Sequence, residues 1–172
     1  IIDEINRGNL SKVFGELLML IEPDYRGTRI TLAYNGLQFM VPKNIYILGL
    51  MNTTDRSLAM IDYALRRRFS FFEIEPGFDS DGFVKYKNSL NNDTFNGLIE
   101  QVQELNKEIS RDKSLGKGFC IGHSYFCGQV SCSDDWMYSI VEHDILPMLS
   151  EYWFDESEKL QRWENNLRGI FQ

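Results

Sequence analysis

The feature that most constrains this chain is the run at residues 45–51, Ile45-Tyr46-Ile47-Leu48-Gly49-Leu50-Met51. Pro42 precedes it and the polar cluster Asn52-Thr53-Thr54-Asp55 ends it. So short an uncharged run cannot span a membrane, and without polar alternation it fits a strand covered on both faces. Strands of that kind belong to parallel sheets wrapped by helices, so an α/β architecture is expected.

The surrounding text agrees. Ile1-Ile2 reads as the end of a second buried strand, closing on Asp3-Glu4 and turning through Asn6-Arg7-Gly8. Asn9 can N-cap a helix whose apolar residues Leu10, Val13, Phe14, Leu17, Leu18 and Ile21 recur at helical spacing until Pro23 stops it. Residues 29–34 and 37–41 flank Asn35-Gly36, a strong signal for a short hairpin. Residues 58–67 read as a short helix and 69–74 as a last strand, closed by Pro76-Gly77.

Beyond Gly77 the pattern becomes mainly helical. Residues 79–92 read as half helix, half loop. Phe95, Leu98, Ile99, Val102, Leu105 and Ile109 mark a long amphipathic helix closed near Gly116. Residues 119–130 read as a loop or short hairpin. Ser133 or Asp134 can cap a helix through Trp136, Ile140 and Val141, which Pro147 bends or restarts. Asp155 with Glu158 resembles a capping box for a final helix carrying Leu160, Trp163 and Leu167. Two domains are therefore expected, residues 1–77 and 78–172.

Charge narrows the function. The 172 residues carry a net charge of −7, which argues against a chain built to coat a nucleic-acid backbone. No run of apolar residues is long enough for a membrane span. The opening residues show neither an initiator Met nor a signal-peptide pattern, so the numbering is expected to begin inside a domain. Cys120, Cys127 and Cys132 lack the spacing of zinc knuckles, and His123 among them adds little. They are expected to be plain thiols in a reducing compartment.

Three clusters carry chemistry. Asp3 and Glu4 end a strand at the sheet edge where open α/β folds bind ligands; one carboxylate can hold Mg²⁺ and the other polarise a water. Asn52 ends another strand and can orient an attacking water or touch a phosphate. In Arg66-Arg67-Arg68, an arginine at a surface helix–strand junction can reach a neighbouring subunit and stabilise phosphoryl-transfer charge. Each cluster also has a plain structural use: a solvated turn, an Asx turn, and a solvated or internally paired arginine.

Taken together, their order resembles the AAA+ ATPase core, and within it the McrB family of modification-dependent restriction motors. The phrases IIDEINRGNLSKVFGELLMLIE, FMVPKNIYILGLMNTTDRSLAMIDYALRRRFSFFEIEPGF and GFCIGHSYFCG carry the resemblance, which covers essentially the whole chain. It implies a partial AAA+ P-loop NTPase core from the Walker B strand onward, with the P-loop strand missing, followed by a mainly α-helical lid. It makes Asp3 the metal-associated Walker B aspartate and Glu4 the catalytic glutamate, with Asn6 and Arg7 lining the site or the subunit boundary. Asn52 becomes the sensor-1 asparagine with Asp55 in the same phrase, and Arg67 and Arg68 the arginines that reach an adjoining protomer. The hairpin at Asn35-Gly36 matches an insertion before sensor 1. Where many lids supply a sensor-2 arginine, this sequence has Gly122-His123-Ser124, so His123 or Ser124 would make any contact with nucleotide.

The resemblance also implies Mg²⁺ and GTP (or ATP), a hexameric ring, an McrC-like endonuclease subunit, and a prokaryotic cytoplasmic setting. DNA carrying 5-methylcytosine would be engaged through an absent N-terminal domain or the partner. G-x-x-x-x-G-K-[ST] occurs nowhere, and Gly116-Lys117-Gly118 is its nearest approach. The 172 residues alone are therefore expected to neither bind nor hydrolyse nucleotide. The alternatives are a MoxR-type AAA+ chaperone that remodels proteins, and a stable non-catalytic interaction module.

Overall fold

The computed structural model describes residues 1–52, 54 and 66–172. Most of the helix expected over residues 58–67, together with Asp55, lies outside the described residues. The chain divides into two compact units, Ile1–Glu73 and Ile74–Gln172.

In the first unit, helix α1 (Leu10–Phe14) starts where Asn9 Oδ1 accepts the Lys12 amide at 3.0 Å. The continuous helix expected to Ile21 does not form. Gly15, at φ 49°, ends α1, and residues Gly15–Ile21 continue as 3₁₀ turns. Those turns bury Leu20 and Ile21, while Val13 on α1 is exposed. The hairpin forms as expected about Asn35-Gly36, but its strands are short: β1 (Ile30–Thr31) pairs antiparallel with β2 (Gln38–Phe39). Glu16 fastens its end, both carboxylate oxygens accepting the Ala33 amide at 2.9 and 3.0 Å.

The covered strand expected at residues 45–51 and the last strand expected at 69–74 are corrected by the structure. Among the described residues the only parallel pairing is the single bridge Ile2–Gly49. Ile45, Leu48 and Leu50 are 47%, 55% and 41% exposed, and Phe72 and Ile74 about nine-tenths so. A parallel pair is stabilised mainly by lying inside a wider, covered sheet, and two isolated segments make one bridge without extending it.

The second unit is a helical bundle. Helix α2 (Asp81–Leu90) is capped by Ser80 and α3 (Asp93–Arg111) by Asn92, whose Oδ1 accepts the Phe95 amide at 2.9 Å. Residues 79–92 are thus mostly helix. The expected stripe Phe95, Leu98, Ile99, Val102, Leu105 and Ile109 is fully buried, each side chain contributing about 1.5–3 kcal/mol. Two 3₁₀ turns, Lys117–Phe119 and His123–Phe126, make up the following loop. Ser133 caps α4 (Asp134–Ile140), a π-turn occupies Val141–Ile145, and α5 (Leu146–Tyr152) resumes with Pro147 in its first turn. Pro147 has no N–H for the carbonyl four residues back, and the π-turn absorbs that misfit. Helix α6 (Ser157–Arg168) starts after Glu156 with no side-chain cap, so the expected Asp155–Glu158 capping box is absent.

Candidate functional site

In the first unit the pairing at Ile2 places the acidic pair. Ile2 donates to Leu48 O at 2.8 Å, Leu50 returns a bond to Ile2 O at 2.8 Å, and Ile5 donates to Leu50 O at 2.9 Å. The segment carrying Asp3 and Glu4 therefore lies alongside the one that ends at Asn52. Gly49 permits the approach: a Cβ there would stand 2.7 Å from Ile5 Cδ1. Asn6 completes the junction, its amide donating to Asn52 O at 3.1 Å from a side chain nearly lost from solvent. Its Oδ1 is buried with no hydrogen-bond partner among the described residues.

Both carboxylates face solvent. Asp3 accepts the Glu4 amide at 2.9 Å, and Glu4 forms an exposed ion pair with Arg7 at 2.9 Å. An exposed pair of this kind is worth little and exchanges readily. Glu4 sits at φ 49°, ψ 43°, a left-handed conformation uncommon outside glycine and held here by the turn that follows the bridge. Asn52 Oδ1 accepts from the Thr54 amide at 3.0 Å and its hydroxyl at 2.5 Å, forming an Asx turn.

The three arginines have different surroundings. Arg68 pairs with Glu22, which follows the 3₁₀ turns, and Arg66 lies over the Phe71 ring at 5.9 Å. Arg67 is exposed. Arg26, unmarked by any motif, donates to Ile21 O at 2.9 Å and Ile45 O at 3.0 Å, so it ties the 3₁₀ segment to the apolar run. Nothing in its sequence context signals this, because both acceptors are backbone carbonyls.

His123 and Ser124 belong to the second unit. His123 Nδ1 accepts the Gly77 amide at 3.0 Å, and its ring stands edge-on to Phe78 and Phe83. Burial pushes the thiols of Cys120, Cys127 and Cys132 above their ordinary value, away from thiolate character. Among the described residues no three His, Cys, Asp or Glu side chains stand close enough to hold a metal, and no helix is long and apolar enough to cross a membrane. Mg²⁺ at Asp3 requires no such cluster, because this ion takes one or two carboxylates and keeps water and phosphate for the rest. The open face of the Asp3 carboxylate suits that demand.

Comparison with known proteins follows the same division. Residues 1–69 match the family described as AAA domain (dynein-related subfamily), and residues 97–161 match McrB, alpha-helical lid domain. The chain is 52% identical, over 98% of its own length and 39% of the relative's, to the Type IV methyl-directed restriction enzyme EcoKMcrB subunit of Escherichia coli (strain K12). It is 29% identical to the Type II restriction enzyme BsuMI component YdiS of Bacillus subtilis (strain 168), over 69% of this chain and 41% of that one. The chain thus spans about two fifths of the length of each of these relatives. Matched at one end to an AAA domain and at the other to an McrB lid, and similar along nearly all of its length to an McrB subunit, the chain belongs to the McrB family of AAA+ proteins.

Proposed function

We propose that this chain supplies the hydrolytic and lid portions of an McrB-like NTPase, of which GTP is the preferred substrate, assembled as a hexameric ring. The ring would power a nuclease partner in the restriction of methylated DNA; the name of the first relative is that of a methyl-directed restriction enzyme subunit, and that of the second a restriction enzyme component. The observation that carries this reading is the Ile2–Gly49 bridge, which sets Asp3 and Glu4 beside the segment ending at Asn52.

In this scheme Asp3 holds Mg²⁺ through water, and the ion would neutralise phosphate charge. Glu4, released from Arg7, takes a proton from the attacking water. Asn52 orients that water, with Asn6 tethering its backbone and Asp55 following in the same phrase. Arg67 reaches an adjoining protomer, while Arg68 is steadied by Glu22. The lid match and the identity to a restriction subunit favour this reading over a protein-remodelling chaperone.

The test is Glu4→Gln in the full-length protein carrying this chain. Turnover of GTP should fall about 10²–10⁴-fold with binding retained, the range for loss of a general base. Undiminished turnover would refute the assignment. With no glycine-rich phosphate loop in its sequence, the 172-residue chain by itself should show no micromolar binding of a fluorescent GTP analogue.

A further inference from the structure

The loop bearing His123 is fastened from beneath. Asn106, on α3, brackets Ile121, its Oδ1 accepting the Ile121 amide at 2.6 Å and its Nδ2 donating to Ile121 O at 2.9 Å. The Cys120 thiol adds a longer bond to Asn106 O at 3.5 Å. This loop presents His123 to the chain at the start of the second unit.

That incoming segment is held at Glu75, Gly77 and Phe78. Glu75 pairs with Lys117 at 2.7 Å. The Gly77 amide donates to His123 Nδ1 at 3.0 Å, while Gly77 O accepts the Ser80 hydroxyl at 2.7 Å. Phe78 packs edge-on against Phe83, 5.3 Å between centroids, and lies 6.2 Å from Phe126. The imidazole meets Gly77 so closely that a Cβ there would stand 3.1 Å from His123 Cε1. An imidazole that accepts through Nδ1 is neutral and carries its proton on Nε2. The atom facing the backbone is thus committed to a structural bond.

We propose that His123 is a positioning residue. By accepting the Gly77 amide through Nδ1, it locks residues 75–78 onto the rest of the second unit. These residues follow Arg67 and Arg68 by only a few positions in sequence, so loss of the lock would lower turnover through the connecting chain, a consequence that rests on the hydrolytic reading given above. His123 serves hydrolysis through the backbone it fixes and makes no contact with nucleotide.

The experiment uses the intact protein that carries this chain, with His123→Ala, His123→Asn and His123→Gln. Asn can place Oδ1 near the position of Nδ1, whereas Gln reaches toward that of Nε2. Hydrogen exchange in peptides covering residues 75–80 should accelerate tenfold or more in His123→Ala and His123→Gln, with α3 peptides unchanged. His123→Asn should restore most of the protection. GTP turnover should follow the same order, kcat falling severalfold with KM unchanged. Unaltered exchange in His123→Ala, or equal rescue by Gln and Asn, would overturn the lock. A raised KM with kcat intact would instead make His123 a nucleotide contact. If His123→Ala does not fold, Gly77→Ala, which crowds the imidazole, should accelerate the same peptides, and full protection there counts against the proposal. A wild-type protein with no turnover would refute the hydrolytic reading, and the exchange results would still decide the lock.

Discussion

Asp112 ties the end of α3 to Trp153, just past α5, and to Lys159 on α6. Its carboxylate, only 8% exposed, accepts from Lys159 at 2.5 Å, Trp153 Nε1 at 3.1 Å, and the amide and hydroxyl of Ser114 at 2.8 and 2.6 Å. The Lys159 ammonium and these donors hold the carboxyl far below the usual range, against the opposing effect of burial. Such a group contributes stability in full above its unfolded value, about 3.9, and loses it as pH falls through the folded one. Urea titrations of the second unit should therefore show stability declining on acidification below about pH 4. Asp112→Asn should flatten that decline and destabilise the unit by about 1–3 kcal/mol at pH 7, because it removes the nearer carboxylate from the Lys159 ammonium and leaves it only Glu156 at 3.4 Å. No local pattern in the sequence marks Asp112, since Lys159 and Trp153 are both distant along the chain. The acidic pair at Asp3 and Glu4 was legible, because its place after an apolar pair is a local fact. The left-handed backbone of Glu4 was not, since it follows from the Ile2–Gly49 bridge.

Among the elements, α3 was legible throughout: its apolar residues recur on one face and that face is the one buried. The loop that follows was only partly so. Its glycines marked irregular backbone, but the bonds that shape it come from Asn106, a polar residue on an otherwise ordinary helical turn. Asn106→Ala should strand the buried amide and carbonyl of Ile121 and cost about 1–3 kcal/mol for each group left unsatisfied. Faster exchange across residues 117–126, with α3 still protected, would verify it. The apolar run at 45–51 shows the opposite case. Its composition pointed to a strand buried on both faces, yet composition states only what a segment can join, and pairing depends on the neighbours it finds.

At the scale of the whole molecule, the described residues of the two units are unequally provided with core. The second buries a continuous cluster from Phe78 to Leu167, whereas among the described residues of the first only Ile5, Leu20 and Ile21 are buried apolar side chains. Units so different in buried apolar surface should not unfold together. Calorimetry of the 172-residue chain should resolve two transitions, the lower from Ile1–Glu73 and the upper from Ile74–Gln172. A single transition whose calorimetric and van't Hoff enthalpies agree would show that the units are energetically coupled after all.

The tryptophans give that division an optical consequence. All three, Trp136, Trp153 and Trp163, lie in the second unit. Trp153 is fully buried with the Lys159 ammonium 4.5 Å from its ring, and Trp163 donates to Glu108 at 3.0 Å. Intrinsic indole emission is therefore a private signal of the lid. It would stay blue-shifted while the first unit melts, and would move to the red only when the Asp112–Lys159 pair opens and water reaches Trp153. An unlabelled fluorimeter trace, set beside circular dichroism, could time the loss of one unit against the other.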